Sequence, residues 1–164
     1  MSDPAYSLKP QAVLRRDDQI VNAMSVDVEE YFQVQALSGR IRPEDWGSRG
    51  SRVEYSTNIV LDLFAAANVK ATFFTLGWVA ERHRGLIQRI VADGHELASH
   101  GYSHVRVDSQ TPDEFRQDVR KTKAILEDTG GVRVAGYRAA TFSIDLKRFW
   151  AFPILEEEGY AYSS

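Results

Sequence analysis

The chain has 164 residues with 20 basic and 23 acidic side chains and a net charge of −3, a length that disfavours two complete cores and a balance that lacks the basic footprint of a nucleic-acid binder. With 43% hydrophobic and 26% charged residues it reads as an ordinary folded chain, and the lack of cysteine removes disulfides, thiolate metal sites and cysteine nucleophiles, leaving histidine, carboxylate or water to hold any metal. The longest apolar runs, residues 63–67 and 71–76, fall far short of the roughly 18 residues a membrane helix needs, and no basic start followed by an apolar stretch reads as a secretory signal, so the expectation is a cytoplasmic protein without a membrane span.

Residues 1–19 are polar, contain two prolines and lack periodicity, which predicts an N-terminal extension ahead of a domain over 20–164. Residues 20–28 read as a buried strand that runs directly into Asp27, Val28, Glu29 and Glu30. Gly, Pro, Ser and charged residues predict a long loop over 38–52 around Trp46. Thr57 and Asn58 are the expected cap of a helix whose apolar positions Val60, Leu63, Phe64 and Ala67 recur at the helical period, with Asn68 closing it. The aromatic and β-branched stretch 71–76 predicts a strand. Leu86, Ile87, Ile90 and Val91 make one face of a second helix that Gly94 ends before a short strand over 95–99.

Thr111-Pro112-Asp113-Glu114 combines a hydroxyl N-cap, proline at the first helical position and glutamate at the capping-box position. Phe115, Val119 and Leu126 then line one face until Gly130 and Gly131 stop the helix. Residues 134–138 read as another strand, Asp145 starts a short helix near Trp150, and Tyr160-Ala161-Tyr162 opens a last apolar segment. Strands alternating with helices predict a parallel α/β sheet with ligands at the carboxyl ends of its strands. Asp27, Glu29, His100, His104 and Arg138 all fall at such ends.

His100-Gly101-Tyr102-Ser103-His104 places two imidazoles four positions apart after a strand, and Asp27, Glu29 and Glu30 supply carboxylates. Two neutral histidines with one carboxylate leave open positions on a divalent ion, the ligand set of a hydrolytic site rather than a closed structural one. A second acid beside the ion can take a proton from water, and Asp27 and Glu29, on one face of a strand, can divide the roles of base and ligand. Arg138 can pair with a carboxylate there. His95 reads as a hydrogen-bonded structural residue and His83 as an exposed helix residue. Trp46, Tyr31, Phe32 and Phe142 are aromatic candidates for stacking on sugar rings, with core or loop packing as the plainer reading. No phosphate-binding loop, dinucleotide fingerprint or nucleophile elbow is present.

Four segments taken in order, residues 25–32, 70–83, 94–104 and 136–139, resemble the polysaccharide deacetylases of the NodB homology type. The nearest resemblance is to the branch that accompanies exosortase and PEP-CTERM exopolysaccharide systems. The resemblance implies a distorted β/α barrel, of which this chain would be the N-terminal part, and removal of acetyl groups from an N-acetylated polysaccharide with a divalent metal, zinc first and cobalt or another ion as options. It makes Asp27 the catalytic base, held by Arg138, and Glu29, His100 and His104 the metal ligands. The family pattern departs at Glu29, where aspartate is usual; at Ala140, where proline is usual; and at Tyr162-Ser163-Ser164, where Tyr-Asp-Ser-Ser is usual. The histidine expected to protonate the leaving amine would fall beyond position 164. Two alternatives stand beside this one: a truncated, catalytically silent fragment with at most metal or glycan binding, and a cyclic amide hydrolase of the same fold.

Overall fold

Residues 22–164 are described by a computed structural model; the expected extension over 1–19 and the start of the expected first strand lie outside them. Five strands, β1 (Ser25–Val28), β2 (Thr72–Thr75), β3 (Glu96–Ser99), β4 (Gly136–Tyr137) and β5 (Tyr162–Ser163), lie side by side in chain order. Every neighbouring pair is parallel. Between them run α1 (Val53–Ala66), α2 (Gly77–Arg82), α3 (Arg84–Ala92), α4 (Pro112–Gly130) and α5 (Ala151–Glu157). Helix α3 packs on α1 and α4, and α4 packs on α5. The helices therefore form one layer. Val28, Phe73 and Leu97 join Leu61, Leu86, Ile87, Ile90, Phe115 and Val119 in the core beneath it, as the two-residue alternation of a strand dictates. Sequentially ordered parallel strands with one helical layer are the repeating unit of a β/α barrel, and five such units make an incomplete arc, the fold class the sequence predicts.

Helix α4 begins where its local signals require. The Thr111 hydroxyl accepts the Glu114 amide at 3.3 Å, the Glu114 carboxylate accepts the Thr111 amide at 2.7 Å, and Gly131 ends the helix in the left-handed conformation (φ 67°). Thr111→Ala should therefore lower the unfolding free energy by about 1 kcal/mol, read as an earlier urea midpoint; an unchanged midpoint would contradict the cap.

Helix α1 departs from expectation. It starts at Val53, four residues before Thr57, which is buried inside it. The reason is a cap from a distance: the carboxylate of Glu30, wholly buried at the end of β1, accepts the amides of Arg52 (3.0 Å) and Val53 (3.4 Å) and the Ser51 hydroxyl. The buried stripe is consequently Val53, Thr57 and Leu61, and Leu63 is exposed. Asn68 closes the helix with φ 53°, as predicted. The short helix α2, unread from the sequence, follows β2 directly. The loop over 38–52 is packed rather than open, with Trp46 buried against Phe32 and Trp78 at ring-centroid distances of 5.9 and 5.8 Å. Strand β4 is shorter than the expected 134–138, and Asp145 caps a single turn ahead of α5 by accepting the Lys147 amide at 2.9 Å.

Among the described residues no helix is long and apolar enough to cross a membrane.

Candidate active site

Parallel strands point their carboxyl ends the same way, so residues far apart in sequence meet there. Asp27 and Glu29 arrive on β1, His100 leaves β3, and Arg138 leaves β4. The Arg138 guanidinium donates to Asp27 Oδ1 at 2.6 Å and to the hydroxyls of Ser25 (3.0 Å) and Ser164 (2.9 Å), and its carbon lies 4.0 Å from the Phe74 ring centroid. That grip occupies one oxygen of Asp27. The other, Oδ2, faces His100 Nε2 at 3.9 Å.

His100 is nearly fully buried, and its Nδ1 lies 2.8 Å from the Arg138 carbonyl. A carbonyl only accepts, so Nδ1 carries the proton and Nε2 is left with a free lone pair. His104 Nε2 lies 3.1 Å from Glu29 Oε2, and the two imidazole centroids are 5.1 Å apart. One ligand atom from each of Glu29, His100 and His104 lies within 4.8 Å of the others. Two of the site's buried polar atoms, Glu29 Oε2 and His104 Nδ1, have no hydrogen-bond partner, a cost that a bound cation would remove directly for the Glu29 oxygen. This donor set, one carboxylate and two imidazoles with open positions, fits a divalent ion.

The electrostatics of the cluster agree. Burial, reinforced by the negative charge of Asp27, pushes the Glu29 carboxyl up to about 7. Burial and the neighbouring His100 push His104 down to about 4, and burial also lowers His100. At mildly acidic pH the Glu29–His104 contact is thus between neutral groups rather than an ion pair.

Glu30 has no part in this cluster, since its carboxylate is committed to the start of α1. His95 behaves as expected: its Nδ1 accepts the Ala71 amide at 3.2 Å, and burial lowers its pKa. His83 does not. Instead of standing free on a helix it lies at the α2–α3 junction, with Nδ1 3.1 Å from Glu54 and Nε2 3.4 Å from the Ser51 hydroxyl. Of the aromatic candidates, Trp46 and Phe32 are core, while Tyr31 (41% exposed) and Phe142 (71%) face solvent. The turn after Arg138 forms without the usual proline: Ser143 bridges it, its hydroxyl donating to the Ala140 carbonyl at 2.7 Å and accepting the Val107 amide at 2.9 Å. Sequence reasoning overlooked Asp118, which accepts the Tyr102 amide between the two site histidines. An acid at helical spacing from Phe115 and Thr122, both buried, was the available signal.

A sequential β/α arc with this constellation at its carboxyl ends defines a barrel-type scaffold with a candidate metal centre. The chain belongs to the polysaccharide deacetylase family, whose sequence pattern matches residues 46–151, a stretch that holds His100, His104 and Arg138. A peptidoglycan-N-acetylglucosamine deacetylase of Bacillus cereus is 40% identical over 88 residues, 54% of this chain and 30% of that protein. A chain from Mycobacterium smegmatis assigned as a polysaccharide deacetylase superposes with a TM-score of 0.69 at 28% identity, covering 86% of this chain and 49% of that one. A family 4 acetyl xylan esterase of Clostridium thermocellum, solved with a cobalt ion, shares the fold with a TM-score of 0.59 at 24% identity over 79% of this chain and 53% of its own. The chain thus spans about half the length of these solved relatives and less than a third of the B. cereus protein.

Proposed function

We propose that this chain carries the metal-binding half of a carbohydrate N-deacetylase, with the domain running over 20–164 and an N-acetylated exopolysaccharide as substrate. The observation that carries this reading is the convergence of Glu29, His100 and His104 beside an aspartate held by arginine. Glu29, His100 and His104 are the ligands, with zinc as the first candidate and cobalt, present in the esterase relative, as the practical probe. A divalent ion bound there would polarise the acetamide carbonyl and acidify a water molecule. Asp27 accepts the proton of the attacking water through Oδ2, the oxygen that Arg138 leaves free. Arg138 keeps that carboxylate oriented and balances its charge. The resemblance of the four segments 25–32, 70–83, 94–104 and 136–139, taken together, is what supports the exosortase-associated branch.

A second reading, a chain that binds metal but turns over poorly, is favoured by one observation. Among the described residues the two remaining imidazoles, His83 and His95, are engaged away from the site, so no further histidine stands ready to protonate the leaving amine. Loss of a general acid costs about 10²- to 10⁴-fold in rate. Acetate release from an N-acetylhexosamine polymer by the cobalt-loaded chain separates the two, and a cyclic ureide in the same assay tests the cyclic amide alternative. Both readings expect cobalt to raise the thermal midpoint and His100→Ala to abolish that rise. A wild-type chain that no divalent ion stabilises would end them together.

A further inference from the structure

The loop from His100 to His104 carries both imidazoles and turns left-handed twice: at Gly101 (φ 75°), where glycine adopts it freely, and at His104 (φ 58°), where a side chain makes it strained. A non-glycine residue held there costs on the order of 1–3 kcal/mol and persists only where its surroundings over-determine it. Two neighbours do so. On one side the first amides of α2 reach the loop, Gly77 donating to the Gly101 carbonyl at 3.0 Å and Trp78 to the Tyr102 carbonyl at 2.9 Å. On the other, Asp118 of α4 accepts the Tyr102 amide, with its two oxygens at 3.2 and 3.3 Å. Gly101 lies so close to the same carboxylate that a Cβ there would stand 3.0 Å from Asp118 Oδ2. The Tyr102 side chain completes the clamp, its hydroxyl donating to Glu81 at 2.8 Å while Lys121 Nζ lies 3.4 Å from the ring centroid.

We propose that Asp118 is a positioning residue for the metal site: by holding the Tyr102 amide it fixes the turn from Gly101 to His104, and with it the direction in which the His104 imidazole faces Glu29 and His100. This rests on the reading of those three residues as ligands. Asp118 touches neither imidazole, so it acts only through the loop. Burial pushes its carboxyl up to about 6 against the opposing pull of the Tyr102 amide and Lys121. The position thus bears a desolvation cost that an apolar residue would avoid.

Cobalt titration of the chain, followed by competition binding and by the visible absorption of the bound ion, tests this. Asp118→Ala should weaken cobalt binding about 10- to 100-fold, the range for lost supporting groups around metal ligands, and should alter the spectrum. Asp118→Asn keeps an acceptor for the Tyr102 amide and should stay close to wild type in both. Thr111→Ala loosens the same helix but spares the Asp118–Tyr102 bond; it should lower the thermal midpoint and leave cobalt affinity unchanged. If Asp118→Ala does not fold, Asp118→Ser gives the same comparison. Wild-type affinity and spectrum in Asp118→Ala overturn the proposal. So does an equal loss in Thr111→Ala, which would trace the effect to helix stability, or an equal loss in Asp118→Asn, which would trace it to charge. A wild-type chain that does not bind cobalt overturns the ligand assignment and this role with it, whereas cobalt binding indifferent to Asp118 removes only the role.

Discussion

Glu30→Ala is expected to cost the fold about 2 kcal/mol, whereas the same change one residue earlier, Glu29→Ala, should leave the metal-free fold at least as stable and remove cobalt binding. The Glu30 carboxylate is the acceptor for two amides and a hydroxyl at the start of α1. Removing it strands the buried Val53 amide at about 1–3 kcal/mol, whereas the part-buried Arg52 amide and Ser51 hydroxyl can turn to water, and it strips α1 of its cap. Glu29 is the reverse case, because its buried Oε2 makes no hydrogen bond and meets only the His104 imidazole at 3.1 Å, so its loss relieves a desolvation cost that a cation would offset. Urea unfolding of both variants, with and without cobalt, checks the pair. Equal destabilisation of the two metal-free variants would show that the division of labour between these neighbours is wrong.

Cobalt affinity should climb about tenfold per pH unit towards pH 7 and then level off. Below about 7 the Glu29 carboxyl holds a proton that the ion must displace, while His104, lowered to about 4, is already neutral; one proton leaves per ion bound. The metal-free fold responds with two opposite signs. Glu29, raised from its usual 4.5, contributes stability that is full below that value and lost as pH rises through about 7. His104, lowered from 6.5, contributes stability that is present above 6.5 and lost as pH falls through about 4. The contributions overlap between these limits, so saturating cobalt should stabilise most on the alkaline side, where Glu29 is otherwise an unpaired buried charge. Competition binding across about pH 5 to 8 measures the slope. A pH-independent affinity would exclude Glu29 as a ligand that must lose a proton.

The parts of the molecule legible in the sequence are those decided by near neighbours in the chain. Thr111 and Glu114 cap α4 within one turn, Asn68 and Gly131 end helices by their own backbone freedom, and the strand–helix alternation orders the sheet. The start of α1 was not legible because its cap, Glu30, belongs to another element 22 residues away. The same long-range contact decides which acids are left to the proposed metal site. Asp27, Glu29 and Glu30 look interchangeable as letters, and only the packing of α1 against β1 takes Glu30 out of the cluster. His83 was misread for a similar reason, since Glu54 and Ser51 reach it across helices that local periodicity treats separately.

Arg138 leaves β4 yet grips Asp27 on β1, although two strands lie between them. Three strand spacings amount to about 14 Å across a flat sheet, more than an arginine and an aspartate can bridge side by side. The contact therefore reflects strands that bend towards one another, and the carboxylate proposed as the base is tethered to that bending. Any change that unrolls the arc, even one far from the histidines, would part Arg138 from the aspartate and, two strands apart rather than three, draw Glu29 away from His100 and His104 as well. Curvature here would act as a latch on the proposed base.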